Sequence, residues 1–122
     1  MKTISILSSF FLFGHAIAQT SNYDLLQGKW QSKSDKTNVL WFDGTTRKET
    51  NDSKTWDAEP FVLGTTCANE TDLETITWEV KANAILSCPE SDLCWEIQSI
   101  TPTELTLIYL GRGNTLTYTK IK

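Results

Sequence analysis

Alternation with a period of two dominates the second half of this chain and limits what it can fold into. Leu93, Trp95 and Ile97 alternate with Cys94, Glu96 and Gln98, and Leu105, Leu107 and Tyr109 alternate with Thr106, Ile108 and Leu110. Leu116, Tyr118 and Lys120 share one face of the last such segment, and Ile76, Trp78 and Val80 one face of an earlier one. Successive side chains of a strand point to opposite faces, so this is the pattern of half-buried β-strands. No stretch after Trp30 carries the 3.6-residue period of a helix.

Turn residues separate these segments. Asp43-Gly44 lies between Val39-Leu40-Trp41-Phe42 and Thr45-Thr46-Arg47-Lys48-Glu49, which predicts a hairpin whose turn takes two positive φ angles. The strand after that turn is nearly all polar and is expected to keep one face in water. Lys54 to Leu63 reads as a strand bent or ended at Pro60, and Gly64 to Asp72 as a loop. Near the start, Asp24 is placed to cap a single helical turn through Leu25, Leu26 and Gln27, closed by Gly28. About eight strands of ~5–6 residues, joined in sequence, make a meander. Closing it removes the edges that invite aggregation. The expected fold is all-β: a small antiparallel up-and-down eight-stranded β-barrel with a short N-terminal helical turn, an open sandwich being the alternative.

The first residues read as a targeting segment. Lys2 precedes a short apolar run from Ile4 to Phe13, and Ala16-Ile17-Ala18 fits the small-x-small cleavage rule. The run is shorter than the ~20 residues a membrane span needs. Residue 19 is Gln rather than Cys, so no lipid or membrane anchor is expected. The expected organisation is a signal peptide over 1–18 and a single domain over 19–122, secreted or periplasmic. In an oxidising compartment two of Cys67, Cys88 and Cys94 are expected to pair. Cys88 and Cys94 flank a plausible hairpin loop and are the favoured pair, which leaves Cys67 over. Pairing of Cys67 with Cys88 or with Cys94 stays open.

Two patches of sequence resemble the lipocalin-like domains of small exported bacterial proteins. Leu26-Gln27-Gly28-Lys29-Trp30 matches the G-x-W opening motif of lipocalin and wider calycin barrels. Cys94 to Thr101, Glu104-Leu105-Thr106-Leu107 and Leu116 to Lys120 are similar to their closing strands. The resemblance implies that Gly28 and Trp30 belong to the closed end of the barrel, where the family stacks an arginine of the last strand over the tryptophan. No arginine follows Arg112, so Lys120 or Lys122 has to serve.

Composition excludes several chemistries. The only histidine, His15, lies in the targeting segment, which leaves the domain without an imidazole base or a Ser-His-Asp triad. Asp57 and Glu59 share a strand face but read as solvated acids rather than a glycosidase pair. Three cysteines without histidine are not a zinc pattern, and no calcium loop or phosphate cradle is present. Neither catalysis nor a cofactor or metal is expected. Of eleven Lys and Arg, Lys2 is lost with the targeting segment, against fifteen Asp and Glu, so nucleic acid is an unsuitable partner.

What remains is aromatic: five Trp and three Tyr in a short chain. Trp41, Trp78, Trp95, Tyr109 and Tyr118 are the candidate ligand-binding residues, expected to grip a small apolar ligand at the end opposite Trp30. An eight-stranded barrel is just wide enough either to be filled by side chains or to hold one small ligand. The alternative function is a protein-interaction module such as a protease inhibitor, with Gln19 to Asp24 as an inserted trunk.

Overall fold

The structure, a computed structural model, describes residues 21–69 and 83–122. The expected targeting segment and the strand expected around Ile76, Trp78 and Val80 lie outside the described residues. Among the described residues a short helix, α1 (Asn22–Leu26), leads into nine strands. These are β1 (Gly28–Ser32), β2 (Val39–Asp43), β3 (Thr46–Thr50), β4 (Asp57–Pro60), β5 (Val62–Gly64), β6 (Ile85–Cys88), β7 (Leu93–Ile100), β8 (Glu104–Tyr109) and β9 (Asn114–Ile121).

Every pairing is antiparallel, in the order β4-β3-β2-β1-β9-β8-β7-β6-β5. The first and last strands meet, since Trp30 lies opposite Lys120. The two strands at the sheet's edges, β4 and β5, are separated in the chain by Phe61 alone. One bent segment therefore pairs with β3 through its first half and with β6 through its second. The result is an up-and-down, nearly closed barrel. Pro60 sits at the bend, where its missing N–H is harmless, and the Phe61 N–H donates across to the Thr45 carbonyl at 2.9 Å. Ser91 Oγ donates to Glu59 Oε2 at 3.0 Å, linking β4 to the β6–β7 connection.

Two local expectations are corrected. The helix begins earlier, with Ser21 rather than Asp24 as its cap: Ser21 Oγ accepts from the Asp24 N–H at 3.1 Å and donates to Asp24 Oδ2 at 2.9 Å. The first hairpin turns at Gly44-Thr45 rather than Asp43-Gly44, because Asp43 already pairs with Thr46. Of the two turn residues only Gly44 has a positive φ, +63°.

Among the described residues the barrel interior carries one apolar core. Leu26, Trp30, Leu40, Leu86, Leu105 and Leu107 are all fully buried, each contributing on the order of 1.5–3 kcal/mol through its apolar surface. The meander puts the connections over 33–38, 51–56, 89–92 and 110–113 at one end. The turns over 44–45 and 101–103 lie at the other, with α1 and Trp30.

Candidate functional site

The end holding Trp30 is sealed. Trp30 Nε1 donates to the Leu26 carbonyl at 2.8 Å, so the buried indole has its hydrogen bond and α1 is fixed across the barrel end. Lys120, facing inward from β9, places Nζ 4.5 Å from the Trp30 ring centroid and donates to the Gln27 carbonyl at 2.8 Å. Burial holds the Lys120 ammonium below its ordinary lysine range. Gly28 has φ +114°, and a Cβ there would lie 2.8 Å from Lys120 Cε. The Gln27 side chain completes the seal, accepting from the Gly44 N–H at 2.8 Å and donating to the Gly44 carbonyl at 2.9 Å.

Among the described residues the opposite end is open. A pocket of about 290 Å³ opens there between Leu93, Trp95, Tyr109, Leu116 and Tyr118, with Asn38, Arg47 and Glu49 on its polar side. Trp95 and Tyr118 are buried, and Trp95 leans on Tyr109 with ring centroids 6.0 Å apart. Three of the five candidate aromatics, Trp95, Tyr109 and Tyr118, thus converge on one mouth. Trp78 lies outside the described residues.

Trp41 does not join them, which corrects its assignment to the pocket. Its neighbours Leu40 and Phe42 point into the core, so strand alternation sends Trp41 outward. There it packs edge-on against Trp56, with centroids 5.6 Å apart, while Lys29 and Lys48 lie over its ring at 4.6 and 4.1 Å. Both lysines are its direct cross-strand partners.

Arg47 also lines this mouth, although nothing in the sequence pattern marks it as a site residue. It lies opposite Phe42, and Glu49 lies opposite Leu40, so both charged residues follow inward-facing partners into the barrel. The strand thus turns Arg47 and Glu49 inward and leaves Thr46 and Lys48, both partly exposed, on its outer face. Arg47 is only 6% exposed and stacks its guanidinium 4.5 Å from the Trp95 ring centroid. Its ion pair with Glu49 is long, at 3.4 Å, while Glu49 also accepts from Asn38 Nδ2 at 2.8 Å. The buried Arg47 Nε has no hydrogen-bond partner among the described residues.

The disulfide joins Cys67 and Cys94, with 5.8 Å between their Cα atoms, and Cys88 is the free, buried thiol. The favoured Cys88–Cys94 pair is thus overturned, for a geometric reason. Cys94 lies opposite Ser87 and Cys88 opposite Leu93, so Cys88 and Cys94 point to opposite faces of the sheet. Cys67 arrives on the outer face, beside Ala68, whose N–H donates to Ser87 Oγ at 3.0 Å. Cys88 points inward, where burial, chiefly, pushes its thiol up to about 12 and the Glu59 and Glu49 acids add to that while Arg47 opposes it. Burial likewise lifts the Tyr118 hydroxyl to about 12, against the pull of Arg47.

Another hollow, about 380 Å³, lies near α1 between Tyr23, Thr45, Phe61, Val62, Leu63 and Asn83, and contains no charged group. Among the described residues, no group of three or more His, Cys, Asp or Glu side chains is arranged to hold a metal ion. No described helix is long and apolar enough to cross a membrane. In comparisons with known proteins, no family model matches the chain, and neither a curated protein nor a solved structure matches it.

Proposed function

We propose that this protein is an exported, non-catalytic, lipocalin-like binding protein that seats a small hydrophobic ligand in the mouth of its barrel, at the end opposite Trp30. The observation carrying this reading is the convergence of Trp95, Tyr109 and Tyr118 with Leu93 and Leu116 around one opening, above a sealed floor. Ligand sites are concave and mostly apolar, with a few placed polar groups, and at about 290 Å³ this one falls near the small end of their range. The apolar core packed below the mouth among the described residues favours a ligand at the rim rather than deep inside. The Lys120 contact on Trp30 supports the calycin resemblance, with lysine standing where that family carries arginine. The Cys67–Cys94 bond supports an oxidising compartment.

The inhibitor reading receives less support. Residues 21–24, the greater part of the supposed trunk, are occupied by the Ser21 cap and α1, and Asn22 Nδ2 donates to the Asn83 carbonyl at 3.0 Å. The test is a titration of the purified domain with small apolar molecules, read by intrinsic tryptophan fluorescence. A saturable change that disappears in Trp95→Phe supports the mouth as the site. No saturable response to any member of a chemically broad series would sink the reading.

A further inference from the structure

The barrel mouth contains a charge that its structural role does not require. Arg47 is 6% exposed, and burying a guanidinium costs several kcal/mol unless its donors are well paired. Among the described residues they are not: the ion pair to Glu49 is 3.4 Å, longer than the ~2.7–2.9 Å of a good charge-assisted bond, and Nε has no partner there. An apolar residue of similar length would fill the same volume at less cost. The side chain nevertheless sits against Trp95 and on the wall of the mouth. Tyr118 stands on the same wall, and its hydroxyl stays protonated at neutral pH and available as a donor.

Such a donor set calls for an acceptor on the ligand, and the surrounding charges decide which kind. Glu49 already pairs with Arg47 and lines the mouth. Glu59 lies directly opposite Arg47 on the neighbouring strand. A ligand carboxylate would be a third acid around one guanidinium, in a partly buried place where like charges repel strongly. A neutral oxygen meets no such penalty and accepts from the same donors.

Building on the carrier reading, we infer that the ligand of this mouth presents a neutral carbonyl oxygen (an amide, ester, lactone or ketone) to Arg47 and Tyr118, with its apolar body against Trp95, Tyr109 and Leu116. Arg47 selects for the acceptor and Glu49 selects against an anion.

Calorimetric titration with octanamide, octanoate and hexylbenzene near pH 7, where octanoate is ionised, separates the possibilities. In the unaltered protein octanamide binds about tenfold more tightly than octanoate. Arg47→Met weakens octanamide about tenfold and leaves hexylbenzene unchanged, which also shows that the variant is folded. Glu49→Gln narrows or reverses the preference by admitting octanoate. The inference is overturned if octanoate binds more tightly than octanamide in the unaltered protein. It is equally overturned if Arg47→Met loses nothing for octanamide while hexylbenzene still binds. In both of those results the carrier reading survives. Failure of all three probes to bind overturns the carrier reading and this inference with it.

Discussion

The Lys120 ammonium lies 4.5 Å from the centre of the Trp30 ring and donates at 2.8 Å to the Gln27 carbonyl, so one side chain of the last strand locks both the first strand and the turn before it. The first and last strands of the chain are thereby joined at the sealed end. Removing the charge leaves the Gln27 carbonyl short of a donor and the indole face uncovered. Lys120→Met is expected to destabilise the domain by about 1–3 kcal/mol, from the cation–π contact and the charged hydrogen bond together. Lys120→Arg, which keeps both contacts, is expected to lose much less. Urea unfolding of the two variants checks this, and equal losses would contradict it.

Gly28 is required twice over. Its φ of +114° is costly for any other residue, and the missing Cβ leaves room for the Lys120 stem. Gly28→Ala is expected to cost about 2–4 kcal/mol, beyond the ~1 kcal/mol of a strained backbone alone. Gly44, with φ +63° and open space around it, provides the control. Gly44→Ala should lose only the backbone part. A Gly28→Ala protein no less stable than Gly44→Ala would remove the packing argument.

The thiols offer a chemical count. Cys88 is fully buried and its proton is tightly held, so the native protein is expected to react with a thiol reagent only on the timescale of unfolding. After denaturation without reductant, one thiol per chain should react, and peptide mapping should place it at Cys88. Label on Cys67 instead would restore the Cys88–Cys94 pair. Cys67→Ser combined with Cys94→Ser should cost about 3 kcal/mol, since the bond closes a loop spanning 27 positions.

Alkaline pH should weaken the fold. The Cys88 thiol titrates near 9.0 when unfolded and about 12 when folded, and the Tyr118 hydroxyl near 10.0 and about 12. Between those values the folded state holds protons that the unfolded chain has released, so stability falls as pH rises. It is expected to be flat below pH about 8.5 and to have lost on the order of 2–4 kcal/mol by pH about 11. The lowered lysine of Lys120 works in the opposite direction, because the unfolded chain then holds the extra proton. In Cys88→Ala the onset should move from near pH 9 to near pH 10, where Tyr118 begins. An unchanged onset would show that Cys88 does not contribute.

Much of the architecture was legible because it rests on local patterns. The alternation of Leu105 and Leu107, or of Trp95 and Ile97, carries its own inside and outside, and the order of turns alone yields the meander. Pro60 marked the bend that nearly closes the barrel. The resemblance pointed to Lys120 or Lys122 as the cover of Trp30, and Lys120 is the one that lies over its ring. What stayed hidden depends on register between strands. Cys88 and Cys94 look adjacent along the chain, yet the pairing of Ser87 with Cys94 sends them to opposite faces. Trp41 looks like any other strand tryptophan until Leu40 and Phe42 are known to point inward. Arg47, on the polar side of the mouth, sits in a strand that is nearly all polar; its pairing with Phe42 turns it inward.

Backbone-amide NMR mapping locates a bound ligand on the barrel. On titration with a bound apolar ligand, the shifted resonances are expected to cluster at Asn38, Arg47, Glu49, Leu93, Trp95, Tyr109 and Leu116, with the indole N–H of Trp95 among the largest and that of Trp30 unmoved. Shifts centred instead on Tyr23, Phe61 and Val62, at the sealed end, would contradict the mouth as the binding site.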